Sequence, residues 1–234
     1  SSYLLFMAEP YILSHDSKPV KNIARNGVFS VLNDKTLRSG DLSANDSFRN
    51  LLAFVHYKGL GVGWHKGNRW WGPGFHSSLQ MTNNTVPFGA QIIGTMKEIR
   101  FGSFGIYGLY TFANINKAKG EKAKYYTALN GQITWYGPIF LSFGFSRNYL
   151  TGGVLSYGYE WTENDAKKII FEGIFTSNLL EAEYTEGGHD LWDQQISGYV
   201  SITMPKRNIK LYAEIGVNDN RMYFADFLSQ PDHS

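Results

Sequence analysis

The chain contains no cysteine. A disulfide scaffold, a thiolate metal site and a cysteine nucleophile are therefore excluded. Charge is scarce as well. Only 18% of the 234 residues are charged, and 22 Lys+Arg against 20 Asp+Glu leave a net charge of +2. So small an excess gives no basis for gripping a phosphate backbone, and no nucleic-acid partner is expected. Long apolar runs are missing too. The longest resemble 51–55, far short of the roughly 20 residues of a spanning helix. The opening Ser1-Ser2-Tyr3-Leu4-Leu5-Phe6-Met7 has no basic n-region and no small-residue cleavage site, so the chain reads as cytosolic or as a mature or trimmed secreted one. Neither a repeat of fixed period nor a low-complexity tract is present.

What the chain has in plenty is aromatic residues and glycine: 15 Tyr, 16 Phe, 6 Trp and 25 Gly, at a mean hydropathy of -0.28. A weakly charged, aromatic, glycine-rich chain that is not apolar on average suits a sheet that is wet on one face and apolar on the other. The pattern along the chain agrees. Ile196, Gly198, Val200, Ile202 and Met204 alternate with Gln195, Ser197, Tyr199, Ser201 and Thr203. After the turn Pro205-Lys206-Arg207-Asn208 the alternation resumes, with Ile209, Leu211, Ala213 and Ile215 against Lys210, Tyr212 and Glu214. Around Tyr136-Gly137-Pro138, Leu129, Gly131, Ile133 and Trp135 oppose Ala128, Asn130, Gln132 and Thr134, and Ile139, Leu141, Phe143 and Phe145 oppose Ser142, Gly144 and Ser146. A period of two with short turns predicts antiparallel strands, each with one apolar face. Further strands are expected at 3–13, 27–33, 50–57, 59–66, 91–101, 104–115, 151–161, 166–176 and 220–228.

Several of these have the length of a membrane-spanning strand, roughly 9–11 residues. Short turns alternate with the longer polar connections 34–49, 116–122 and 177–193, and aromatics gather near strand ends at Trp135, Tyr136, Tyr149, Trp161 and Trp192. This is the layout of outer-membrane barrels. A soluble β-sandwich or solenoid would also alternate. The polar faces of 124–136 and 194–204, which carry amides, hydroxyls and Tyr in place of Lys and Glu, favour the barrel, because a solvated sandwich face carries more charge. The expected fold is an all-β, antiparallel transmembrane β-barrel of about 12 strands in this chain, a single domain over 1–234.

One segment breaks the alternation. After Gly59, Gly61 and Gly63 the chain runs through Arg69-Trp70-Trp71-Gly72-Pro73-Gly74 to Asn83-Asn84 and Pro87. Glycine and proline at this density force a non-sheet path, and Asn side chains stabilise turns. Irregular backbone at membrane depth must be satisfied by protein or lumen water. Residues 67–90 are therefore expected to form an internal plug that fills the lumen or lies over one end.

Arg69-Trp70-Trp71-Gly72-Pro73-Gly74, followed by Ser77-Ser78-Leu79, Thr82-Asn83-Asn84 and Pro87-Phe88, resembles the signature of the Wzi-type capsule-assembly outer-membrane proteins. Gly102-Ser103-Phe104-Gly105, Phe145-Ser146-Arg147-Asn148-Tyr149 and 210–216 resemble later strands of that family, so the resemblance covers most of 50–220. It implies a plugged barrel of the bacterial outer membrane, acting as a non-catalytic surface lectin that holds capsular polysaccharide on the cell. Outer-membrane lipid, surface polysaccharide and other outer-membrane proteins are the implied partners. Family members are longer, and bacterial outer-membrane chains usually end in a strand with a terminal aromatic, whereas this chain ends Gln230-Pro231-Asp232-His233-Ser234. The resemblance thus implies that the chain is a portion of a larger barrel.

Catalytic signals are thin. The six histidines include no pair at metal-ligand spacing, and neither G-x-S-x-G nor a phosphate loop is present. No cofactor is expected. His65 and His76 flank the motif and read as hydrogen-bonding loop residues. Glu181 and Glu183 have the spacing of a carboxylate pair on one strand face, and read more simply as a solvated loop. Sugars stack on aromatics and bond to amides and charged groups, so the candidate ligand-binding residues are Arg69, Trp70, Trp71, Asn83, Asn84, Trp192 and Tyr212. For Trp70 and Trp71 the alternative role is to anchor the plug. A channel, or a scaffold subunit of a larger secretion or surface assembly, is the alternative function.

Overall fold

The computed structural model describes residues 3–10, 48–75, 78–81, 87–115, 123–153, 160–171 and 192–218. Ten strands form one antiparallel sheet. They are β1 (Leu4–Pro10), β2 (Phe48–Tyr57), β3 (Leu60–Gly67), β4 (Phe88–Thr95), β5 (Ile99–Phe101), β6 (Phe104–Asn114), β7 (Lys124–Tyr136), β8 (Phe140–Gly152), β9 (Trp192–Met204) and β10 (Ile209–Asn218). Their order is β1-β2-β3-β4-β6-β7-β8-β9-β10, with the short β5 paired to β6 alone. Sequential neighbours pair, as hairpin connections dictate, except that β4 pairs β6 across the short β5.

Tight turns collect at one end of the sheet. Lys58 and Gly59, both at positive φ, close the β2–β3 hairpin, as a two-residue primed turn requires. Gly102 does the same between β5 and β6, and the left-handed Asn208 ends the 3-10 turn Pro205–Arg207 before β10. The longer connections, including 68–87 and 153–191, leave from the opposite end.

Cross-strand register defines the two faces. One lateral row runs Leu4, Val55, Val62, Ile93, Tyr110, Leu129, and a second runs Ile106, Ile133, Phe143, Val200, Ala213. Of these, Leu4, Val55, Val62, Ile93, Ile106, Ile133 and Phe143 are exposed. This apolar face is a broad band of large side chains turned outward, much more than the scattered singles of a soluble surface. The opposite face divides in two. On β2–β6 it carries the buried cluster Leu52, Phe54, Ile92 and Leu109. On β7–β9 it carries Asn130, Thr134, Ser146, Ser197 and Ser201, all buried. There Asn130 donates to Ser146, Tyr199 to Gln132, and the hydroxyls of Thr134 and Ser142 lie 3.1 Å apart.

Among the described residues the wall is an open sheet of ten strands, in which β1 and β10 each have one neighbour; the expected strands 27–33 and 220–228, which belong to the expected total of about 12, lie outside those residues. Three sequence expectations are corrected. The strand expected over 91–101 is interrupted: β4 stops at Thr95, whose hydroxyl bonds the carbonyl and the N–H of Gly108, and the chain turns before β5. The strand expected at 166–176 is instead the helix α1 (Glu163–Lys168) with a 3-10 turn at Ile169–Phe171. Thr162 caps the helix: its side chain accepts from the Asp165 N–H while Asp165 reaches back to the Thr162 N–H, the reciprocal capping box. The expected strand 151–161 also fails in its described part, since β8 stops at Gly152 and the backbone turns left-handed at Gly152 and Gly153.

Helix α1 and the turn after it cover the apolar face at the long-loop end. Ala166, Ile169 and Ile170 pack with Phe112, Tyr125, Tyr149, Trp161 and Trp192. Thr127 Oγ1 donates to the Ala166 carbonyl at 2.5 Å, and Tyr110 OH to that of Lys167 at 3.0 Å.

Candidate functional site

The motif segment enters from the end of β3 and crosses the face opposite the apolar band. Within β3, Gly63 stands opposite Phe54, and a side chain there would strike the Ala53 carbonyl and the Phe54 ring. Arg69 is buried. Its Nη2 donates to the His65 carbonyl at 2.8 Å, Nη1 donates to the Gly67 carbonyl at 3.4 Å, and the guanidinium lies 4.9 Å from the centre of the Phe88 ring. Burial lowers the Arg69 pKa, an effect opposed by the nearby Tyr126 and Tyr107; guanidinium stays protonated at any ordinary pH. Arg69 is thus a fixed buried cation that staples the segment to its own strand.

Trp71 is the hinge of the segment. Its backbone N–H donates to the Met81 carbonyl at 3.2 Å, closing the excursion between them into a narrow loop. Its ring stacks on Tyr126 at 6.5 Å and packs with Met81, Ala128 and Phe88. Trp70 is half-buried, and its indole N–H donates to the Gly74 carbonyl at 3.0 Å.

Beyond Trp71 the segment is tied to strands remote in sequence. Gly72 sits at φ 129°, and a Cβ there would lie 2.9 Å from the Glu214 carboxylate; glycine is needed for both reasons. The Leu79 N–H donates to Glu214 at 3.4 Å, and Lys210 Nζ donates to the Pro73 carbonyl at 3.2 Å. Gln80 Nε2 donates to the carbonyls of Ser146 (2.8 Å) and Gln195 (3.2 Å), and its own amide oxygen accepts from Asn148. Gln195 returns a bond to the Leu79 carbonyl at 3.1 Å. The Leu79 N–H and the carbonyls of Leu79 and Pro73 thus meet a carboxylate, an amide and an ammonium of the wall, while Gln80 ties in through its side chain.

Arg69, Trp70 and Trp71 therefore share a face with Tyr212, which is exposed and lies beside Lys210, with Nζ 5.9 Å from its ring centre. Trp192 does not join them. Its register partner is Thr151, on the same face as Tyr149, and it packs edge-on against Tyr149 and Trp161 in the cluster under α1. Asn83 and Asn84 lie outside the described residues, as do His76, Glu181 and Glu183. Gln80, Asn148, Gln195 and Glu214 were not singled out from the sequence. Each is an ordinary polar residue, and only the long-range fold gives it a partner. Phe75, at the outer bend of the segment and 83% exposed, was also missed. Among the described residues, no three His, Asp or Glu side chains gather as a metal site.

Chemically, then, the face offers exposed rings at Phe75 and Tyr212, a half-buried ring at Trp70, and a lysine beside Tyr212. A comparison with protein-family models finds no match, and a search of curated proteins finds none. Among solved structures the chain is similar to OmpTdeltaL8, a loop L8 deletion mutant of OmpT, an outer membrane protein of Vibrio cholerae. The two are 12% identical with a TM-score of 0.36 over 74% of this chain and 48% of that one, so the chain spans about half the length of that structure.

Proposed function

We propose that the chain is wall and plug of a Wzi-type barrel in the bacterial outer membrane that binds or anchors surface polysaccharide without catalysis. One observation carries this reading. The strands turn large apolar side chains outward on one face, while the tryptophan-bearing segment crosses the other, held by wall amides. An exposed apolar band suits lipid. The opposite face, with Trp70, Phe75 and Tyr212 accompanied by Lys210, suits sugar rings and hydroxyls. The role of the buried Trp71 and Arg69 is to hold the segment, and that of Trp70 and Tyr212 is to meet the polymer. With a net charge of +2, long-range attraction is weak, so retention depends on many contacts along one polymer chain.

The test is retention of the host's own polysaccharide on the full chain in detergent or liposomes, beside a deletion strain. Long polymer is retained, short oligosaccharides are not, and Trp70→Ala with Tyr212→Ala weakens retention. A capsule that stays attached at wild-type levels in the deletion strain, with no retention on the purified protein, overturns the lectin reading. Conductance in planar bilayers would then favour the channel.

A further inference from the structure

On the face opposite the apolar band, one lateral row runs Tyr107, Gln132, Gly144, Tyr199, Glu214. The next row, nearer the tight turns, runs Gly105, Thr134, Ser142, Ser201, Tyr212. The centre of the first row is a glycine. A Cβ at Gly144 would strike the Tyr199 ring at Cε1, Cζ and the hydroxyl, so the ring crosses β8 against bare backbone. Its hydroxyl donates to the Gln132 side chain on β7, and the Gln132 amide donates to Thr134 at 2.8 Å. One face of the ring is thus laid on the wall and its tip is pinned, while the other face is turned away from the sheet. A ring fixed beforehand loses little rotamer freedom when an apolar surface stacks on it.

The second row places hydroxyls beside that ring. Those of Thr134 and Ser142 lie 3.1 Å apart and satisfy each other. Ser201 is 5% exposed, and its hydroxyl has no partner among the described residues. A secluded hydroxyl without a partner is costly, and a bonding group brought by a ligand would relieve it. Charge at the edges sets the kind of ligand. Glu98 lies over Gly105 at one end, accepting from Tyr136, and Glu214 ends the first row on β10. The cations close by are engaged: Arg100 sits 3.7 Å from the centre of the Tyr136 ring and 3.9 Å from Glu98, and Lys210 donates to the Pro73 carbonyl. Two carboxylates flanking the rows oppose an anionic ligand.

From this arrangement we propose that Tyr199 is the stacking platform of a subsite for a neutral pyranose unit, with Ser201 bonding one of its hydroxyls. The subsite deepens the polysaccharide reading above and rests on it. It adds a contact on the wall itself, separate from Trp70 and Phe75 on the crossing segment, and it selects uncharged sugar units over uronates.

The test measures retention of the host's own polysaccharide on the full chain in detergent, with the thermal midpoint followed in parallel. Tyr199→Ala is expected to weaken retention about 3–10-fold, and Tyr199→Phe, which keeps the ring, to restore most of it. Ser201→Ala is expected to weaken retention about threefold with the thermal midpoint unchanged, and it decides the matter if Tyr199→Ala does not refold. Polymer whose carboxylates have been chemically reduced to alcohols is expected to be retained at least as well as the native polymer. Retention unchanged in both Tyr199→Ala and Ser201→Ala, but lost in Trp70→Ala with Tyr212→Ala, overturns the subsite and leaves the polysaccharide reading standing. Loss of retention on carboxylate reduction overturns the assignment to a neutral sugar. No retention of either polymer by the wild-type chain overturns the polysaccharide reading itself.

Discussion

Strand β7 supports two aromatic clusters back to back, and they balance apolar packing and hydrogen bonding differently. Tyr125 and Thr127 face the cluster under α1, where Ile169, Ile170, Trp161 and Trp192 make a dry seat for the helix. Tyr126 and Ala128, one residue along, face Trp71, Met81 and Phe88, and around that contact the segment is held by amide and carboxylate bonds to β8, β9 and β10. The first cluster is held mainly by apolar area, which any well-shaped hydrophobic set supplies, with Thr127 and Tyr110 adding bonds to the helix carbonyls. The second depends on named donors and acceptors whose loss leaves buried groups unpaired. Side chains in a strand alternate between its faces, so a single residue step separates the two kinds of cohesion.

Substitutions should separate the two clusters. The largest effect is expected from Trp71→Ala, which empties a buried aromatic site and costs about 4 kcal/mol, read as a fall in the thermal midpoint in lipid together with protease entry into 69–81. Ile170→Ala should cost about 3 kcal/mol through a cavity under α1. It should leave polysaccharide retention unchanged; a joint loss of retention would mean that the two clusters are not independent. Ile133→Arg, on the exposed apolar band, should disfavour insertion by about 2–3 kcal/mol, measured by partition of refolded protein into liposomes, whereas Thr203→Arg on the opposite face should insert normally. Equal behaviour of the two would erase the distinction between faces. Thr162→Ala should have the smallest effect, about 1 kcal/mol from the lost cap, seen as faster amide exchange in 163–168 with the exchange of β7 unaltered.

The strands with clean alternation were legible before the fold was known. β7 begins and ends where the pattern predicts, and the hairpin of β9 and β10 follows from its turn residues. The helix was not, because Ile169-Ile170-Phe171 reads as strand core when periodicity alone is weighed. The cue lay one turn earlier in Thr162-Glu163-Asn164-Asp165, where Asp165 stands at the capping-box position. The site was half legible. Arg69 and Trp71 stand out by composition, and the structure shows them as anchors. The partners that fix the segment do not stand out, since Gln80 meets Ser146 and Gln195 at separations of 66 and 115 residues. Trp192 drew notice as a strand-end aromatic, yet a ring at a strand end can face either side, and its register parity puts it with Tyr149.

The segment's double attachment has a mechanical consequence. A sheet whose strands touch only their neighbours can peel from either edge, one strand at a time, each opening at its own low free energy. Arg69 holds one end of the segment to β3, and Gln80, Leu79 and Pro73 hold the other to β8, β9 and β10. Stripping β10 from its edge therefore also strains a tether rooted six strand positions away, and the fraying of that edge is felt at β3. The tether converts a row of hinged slats into a braced panel, and the wall between β3 and β10 should open as one cooperative unit.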